Sequence, residues 1–387
     1  MPTLWTYPWT LHNEGIDDAC ERIVDCGIDG LNVASHYHSV RSMQPRSPDD
    51  LFRAYGGGCY FEPDDAFDGI PIVPSTNRVG SWDDPLAAIV DGARDHGLAV
   101  NAWTVCLHNT RLGATNPDYR IESAFGDAHD HSLCPSRPEV RDYFAAVVGS
   151  IHERNVDEIH LESVGFPSVL HGHGSAFGHD KRQVATTDTE TLLLSQCFCG
   201  GCRAASESHP VEFERARRRV RELLRRSFAD PTASTPSPDE LRETEPLVSE
   251  LLDFRAAVVE RLLERLADAS GSTPLNYYVE EAYGSTPPKL SLSGVRTDAL
   301  ESHLDRVTGL CYVSDPDLVR ERLTALERAV DLPVDAGLTL DPAVVDRRER
   351  LEELVSAVRS TTDGTIALYH HSLASETHLG WLADLFA

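Results

Sequence analysis

Lysine is almost missing from this chain. Only Lys181 and Lys289 occur among 35 basic residues, against 62 acids, so the formal net charge is −27. A surface this acidic repels nucleic-acid phosphates and anionic membranes, so neither is expected as a partner. It suits a protein that stays hydrated in concentrated salt, where screening acts over ~3 Å at 1 M and self-repulsion is small. Salt also strengthens apolar burial, which disfavours long lysine stems on a surface. The composition reads as that of an extreme halophile, with a merely acidic mesophilic enzyme as the alternative.

Other absences narrow the class. No stretch approaches the ~18 consecutive apolar residues of a membrane span. The opening Met1–Trp9 segment lacks a basic region and a small-residue cleavage site, so a cytoplasmic location is expected. No Gly-x-Gly-x-x-Gly follows the first strand candidate, which argues against a dinucleotide-binding sheet. Nine cysteines in 387 residues fall short of disulfide density. In a reducing cytosol, clustered cysteines read as metal ligands or as buried packing.

What is present is a regular alternation of short apolar runs and longer helical patterns. The strand candidates are Thr3–Trp9, Gly30–Ser35, Leu98–Val105, Asp157–Val164, Pro274–Val279, Arg306–Val313, Pro333–Thr339 and Thr365–His370. Helical patterns follow most of them, as at Asp17–Cys26, Asp83–His96, Pro138–Arg154, Asp315–Val330, Ala343–Ser360 and Glu376–Phe386. Eight βα units favour a closed (β/α)8 TIM barrel of the α/β class over an open sheet. One barrel domain is expected over 1–387, with long insertions after strands two, three and four (36–82, 106–136 and 165–272). The last holds a cysteine cluster and two helical patterns near 210–229 and 239–269. Loops after barrel strands lie on the face where this fold presents its chemistry.

Strand four carries the strongest polar pattern. Period-two alternation puts Glu158, His160 and Glu162 on one face, with Ile159 and Leu161 on the other. Glu162, at the C-terminal end, is the candidate general acid/base, and His160 could orient or protonate it. The competing reading is a structural salt bridge inside the barrel. The cluster Cys197-x-Cys199-x-x-Cys202 brings three thiolates within six residues, which suits a closed structural zinc site. Cys134, Cys106 or a loop histidine such as His209 could complete it; three packed free cysteines are the alternative. Arg215, Arg217, Arg218, Arg219, Arg221, Arg225 and Arg226 fall in one amphipathic pattern. Given the net charge, it reads as a helix on acidic neighbours or at a subunit contact, and self-association stays open.

Leu133-Cys134-Pro135-Ser136-Arg137-Pro138-Glu139-Val140-Arg141, then His160-Leu161-Glu162, then Cys197-Phe198-Cys199-Gly200-Gly201-Cys202 resemble glycosidase-like TIM-barrel proteins of the haloarchaeal type. These are described as family 10-like glycosyl hydrolases. The resemblance spans roughly residues 98–225. It implies a small-molecule carbohydrate substrate and an acid/base at the end of strand four, here Glu162. A glycosidase needs a second carboxylate, ~5 Å away for retention and ~6.5–9.5 Å for inversion. Asp335 lies early in strand seven and Asp341 reads as a helix N-cap. Glu280 and Glu281, just after strand five, are better placed.

Candidate sugar-binding residues follow from position at the same mouth. They are His36, His38, Asn101, Trp103, His171, His173, Tyr277, Tyr369 and His371, with Trp5, Tyr7, Trp9, Tyr278 and Tyr312 nearby. A competing function is a metal-dependent sugar isomerase or hydrolase using His36, His38, His160 and His371. The absence of a convincing strand-seven carboxylate motivates a third, a non-catalytic carbohydrate-binding barrel.

Overall fold

A computed structural model describes the chain except for residues 48, 171–180, 185, 231, 233 and 280–289. Eight parallel strands form the barrel: β1 (Pro2–Thr6), β2 (Gly30–Tyr37), β3 (Ala99–Val105), β4 (Glu158–Glu162), β5 (Leu275–Val279), β6 (Arg306–Leu310), β7 (Val334–Thr339) and β8 (Ile366–Tyr369). Each pairs with its sequence neighbours, and β8 and β2 both pair with β1, which closes the sheet. Helices cover the outside, among them Ile16–Asp25, Pro85–Asp95, Pro138–His152, Pro316–Ala329, Arg348–Arg359 and Glu376–Phe386.

The expected strands all form, with boundaries moved for local reasons. The first strand was expected to reach Trp9, but it ends at Thr6 because Pro8 opens a helix over Pro8–Glu14. Proline fits the first helical turn, where its missing N–H leaves no bond unmade. The helical pattern over 239–269 is two helices, Pro238–Thr244 and Pro246–Ala269. Pro246 cannot donate to the preceding turn, so one helix ends and the next begins there. The insertions after β2 and β3 carry antiparallel pairs, Val40–Met43 with Phe52–Tyr55 and Arg120–Glu122 with Ala128–Leu133.

Two cores result. Residues on the outer strand faces, such as Leu4, Val33, Leu161 and Leu338, pack with the helices. A smaller aromatic cluster of Trp5, Tyr7, Trp9, Tyr37, Trp103 and Tyr278 fills the barrel and its mouth. Gly337 makes room for it, since a Cβ there would meet the Trp5 ring at 3.1 Å and Leu310 at 2.7 Å. The arginine-rich helix Phe213–Ala229 docks on acids: Arg219 binds Glu245 through two nitrogens at 2.6 and 2.8 Å.

Candidate active site

Polar side chains occupy the N-terminal end of the barrel interior. Asn101 donates to Asn32, and Asn32 donates to Thr3. Across the barrel, Arg306 grips Asp335 through two bonds at 2.7 and 2.9 Å, and Asn276 donates to the same carboxylate. Asn101 is therefore a rung of a buried ladder far from the mouth, not a sugar contact. Asp335 is locked by an arginine, and Asp341 accepts from the Ala343 N–H as a cap.

Above this layer stands His160, 5% exposed, between Glu158 Oε2 at 2.9 Å and the Tyr278 hydroxyl at 2.8 Å. Its partner is Glu158, one turn of the pleat below, rather than Glu162. Burial raises the Glu158 pKa, but the His160 bond and charge, Arg306 and Asn276 outweigh it and hold the carboxyl below its ordinary value.

Glu162 projects into the mouth. Trp103 Nε1 donates to its Oε2 at 2.5 Å, from the neighbouring strand β3. Its charge also acts on four phenols, Tyr7, Tyr37, Tyr278 and Tyr369. Burial, reinforced by that charge, holds all four hydroxyls above the usual phenol range, so they stay protonated near neutral pH. The rings interlock: Tyr7 stacks on Trp9 at 4.3 Å, Tyr37 meets Trp103 at 4.5 Å, and Tyr369 meets Tyr312 at 5.7 Å. His370 joins them 4.2 Å from Tyr7, its Nε2 buried and without a partner among the described residues. Glu162, Tyr312, Tyr369 and His38 remain partly open to solvent.

Several expected contacts lie elsewhere. A β-bulge between Ala34 and His36 shifts the β2–β3 register. The extra residue sends His36 outward and turns Tyr37 into the mouth. His36 Nδ1 donates to the Val105 carbonyl at 2.6 Å, and its Nε2 accepts from Tyr143 on the helix Pro138–His152. Full burial pushes its pKa down to about 4. Tyr277 packs into the outer core; Tyr278 is the inward residue, in phase with Asn276. His371 is sealed behind β1 and β8, where its Nδ1 donates to Thr6 and its Nε2 accepts from Arg46 at 2.9 Å. His38 does reach the rim, 4.1 Å from Tyr37 and 5.1 Å from His108. His36, His160 and His371 thus point into three separate environments and cannot share an ion with His38. His171, His173, Glu280 and Glu281 lie outside the described residues.

The eight-stranded barrel has known structural counterparts. The fold is a (β/α)8 barrel, and glycosidases are among the solved structures that share it. The catalytic domain of a β-amylase from Paenibacillus polymyxa superposes with a TM-score of 0.57 at 9% identity, covering 100% of this chain and 97% of that one. A β-galactosidase from the psychrophilic Marinomonas ef1 gives 0.57 at 12% identity, over 100% of this chain and 58% of that one. A catalytic mutant of a GH42 β-galactosidase from G. stearothermophilus gives 0.58 at 12%, over 99% and 55%. The chain thus spans little more than half the length of those β-galactosidases. No family model and no curated protein matches the sequence.

A second centre lies beside the barrel. Cys134, Cys197, Cys199 and Cys202 are buried, with all four sulfurs within 4.8 Å of one another. Cys134 Sγ lies 3.5 Å from both Cys197 and Cys202. A tetrahedral zinc with bonds of about 2.3 Å places its sulfurs about 3.8 Å apart, so the donor set fits that ion. Cys134, from the end of the Ala128–Leu133 strand, is the fourth member; Cys106 and His209 are not in the cluster. Gly201 permits the approach, because a Cβ there would sit 2.4 Å from Arg137 Cδ. Arg255, 3% exposed, lies within reach of the charges of Cys197, Cys202 and Cys134. Its Nη2 donates to the Phe166 carbonyl, while Nε and Nη1 have no partner among the described residues.

Proposed function

We propose that the protein is a carbohydrate-active hydrolase of glycosidase type, with Glu162 as general acid/base. The observation that carries this reading is the Glu162 carboxylate at the barrel mouth, held by the Trp103 indole and ringed by Tyr7, Tyr37, Tyr278 and Tyr369. An acid/base for glycosidic cleavage must give a proton to the leaving oxygen and take one from water, and a half-buried carboxyl among neutral donors can do both. Aromatic rings offer apolar faces to the apolar faces of sugar rings, and phenol and imidazole edges offer bonds to hydroxyls. Trp103, Tyr369, Tyr312, His38 and His370 would form the walls.

The second carboxylate in this proposal is Glu280 or Glu281, which follow β5. The fold neighbours are named as amylase and galactosidases, and their activities support a carbohydrate substrate for this chain. The four cysteines would hold a zinc ion that pins the insertion after β4 to the end of the Ala128–Leu133 strand; tetrathiolate sites are closed and structural. Acid excess, scarce lysine and nine unpaired cysteines support a reducing, salt-rich cytoplasm as its setting. Among the described residues, no helix is long and apolar enough to cross a membrane.

The test is a panel of aryl and natural glycosides assayed in molar salt, followed by Glu162→Gln. Turnover by the native protein should fall by a factor of about 100 or more in the variant on a substrate with a poor leaving group. Unchanged turnover removes Glu162 from the role. Tight sugar binding without turnover across the panel would make the barrel a binding protein.

A further inference from the structure

Two outer helices of this chain carry stripes of opposite charge at the same spacing. On Phe213–Ala229, Arg218, Arg221 and Arg225 recur at i, i+3 and i+7, which is one face of a helix. On Ile16–Asp25, Asp18, Glu21 and Asp25 recur at i, i+3 and i+7 as well. Three cations and three anions therefore stand at equal intervals along the two helices.

Neither stripe is satisfied within the chain. Arg215, Arg217 and Arg219 on the first helix pair with Glu212, Glu122 and Glu245. Among the described residues, Arg218, Arg221 and Arg225 make no ion pair, although the sequence holds 62 acids. Glu214 and Glu222, the acids on the same helix, are taken up by Arg203 and Arg219. Arg221 and Arg225 lie instead over the Phe125 ring, 5.4 and 5.7 Å from its centroid, and Phe125 is itself 36% exposed. On the second helix the one base, Arg22, turns to Glu14 and Glu376. Asp18, Glu21 and Asp25 are exposed and make no ion pair among the described residues. Val24 on that helix is 42% exposed, a large apolar side chain left in solvent.

The two helices occupy separate places on the surface. Ile16–Asp25 runs between β1 and β2 and packs on Pro85–Asp95, whereas Phe213–Ala229 packs on Pro246–Ala269 in the insertion after β4. A pairing of the two stripes must therefore join two molecules. We propose that the arginine stripe of one molecule docks on the acidic stripe of a second copy of this chain. The contact joins unlike surfaces, so it passes on to a third copy and closes into a ring or extends as a filament. A polyanion would fit the arginine stripe alone, whereas a second copy accounts for both stripes.

Salt gives the proposal a sign. Two chains of charge −27 repel at long range, over ~10 Å at 0.1 M salt but only ~3 Å at 1 M. Arginine–carboxylate contacts of about 2.8 Å lie inside even the shorter range, and salt strengthens the burial of apolar groups such as Phe125 and Val24. Association of copies should thus strengthen as salt rises. Capture of a polyanion by the arginines would weaken instead.

Sedimentation velocity of the full chain tests this, over the range of NaCl in which circular dichroism shows the fold intact. Native protein should form species larger than the monomer in molar NaCl, and more of them as NaCl rises. Arg218→Glu/Arg221→Glu/Arg225→Glu should weaken association about tenfold or more, and so should Asp18→Arg/Glu21→Arg/Asp25→Arg. Mixed in equal amounts, the two variants should associate again, because each pair then makes one native contact and one with both signs reversed. A native chain that stays monomeric in molar NaCl overturns the proposal. So do variants that associate like the native chain, a mixture that stays monomeric, or association that weakens as NaCl rises. Heparin serves as the polyanion probe, and its capture by a monomeric native chain would make the arginines a polyanion site instead. If a triple variant does not fold, Arg218→Glu and Asp18→Arg carry the same comparison.

Discussion

Trp103 Nε1 donates to Glu162 Oε2 across 2.5 Å, joining the ends of two neighbouring barrel strands. The bond fixes the carboxylate's position from the neighbouring strand. It also ties the acid/base candidate to an aromatic wall, so a change in one should be felt by the other.

Trp103→Phe keeps most of the ring and removes the N–H. A hydrogen bond to a charged group contributes about 1.5–3 kcal/mol, so kcat/KM should fall roughly 10- to 100-fold on any glycoside the native protein turns over. The indole proton resonance of Trp103 should move in Glu162→Gln. An indole signal indifferent to that change would argue that the bond does not form in solution.

The ladder beneath the site predicts the opposite pattern. Asn101→Ala leaves Asn32 Oδ1 without its donor. Urea unfolding should show a loss of about 1–3 kcal/mol. KM should be unchanged, because Asn101 does not reach the mouth. A raised KM at native stability would return Asn101 to the substrate.

His36 predicts how stability depends on pH. Its pKa lies at about 4 in the folded chain because burial disfavours the charged ring, against about 6.5 when unfolded. Between those values the unfolded chain holds the extra proton, so protonation pulls toward unfolding. The stabilisation is complete above about pH 6.5 and is lost as pH falls to about 4, on the order of 3 kcal/mol in all. Chemical unfolding of native protein and His36→Gln from pH 8 to 4, at one salt concentration, should give curves that converge toward acid. Parallel curves would mean His36 is not sealed as described.

The cysteine cluster predicts a metal content. Purified protein should carry about one zinc per chain, and Cys134→Ser should lower both that content and the unfolding temperature. Arg255 is buried with thiolates as its nearby negative charge, so Arg255→Leu should speed chelator-driven zinc release by about 10- to 100-fold. Metal-free protein of native stability would make the four cysteines a packing cluster.

Much of the barrel was legible in the chain. Each strand carries an apolar run of the right length, and several helices begin at an acidic cap followed by proline, as at Asp84 and Asp315. The site was legible only where the period-two phase held. On β4 it holds, and Glu162 faces the mouth as expected. On β2 one bulged residue reverses the phase, exchanging His36 for Tyr37. On β5 the polar Asn276 marked the inward phase, which selects Tyr278 over Tyr277. Beyond β8 the alternation no longer applies; His370 lies over Tyr7 while His371 turns behind the barrel.

Composition and periodicity by themselves determined an acidic eight-fold βα barrel with a carboxylate at the close of its fourth strand. Those properties are local, set by side-chain spacing against a repeating backbone. Tertiary structure alone decided that Cys134 joins a cluster 63 residues away, that His160 bonds Glu158, and that Glu162 bonds Trp103. Each of those pairings depends on which atoms closure of the barrel brings within bonding distance, and hydrogen-bond partners are chosen over ångströms that no spacing rule resolves.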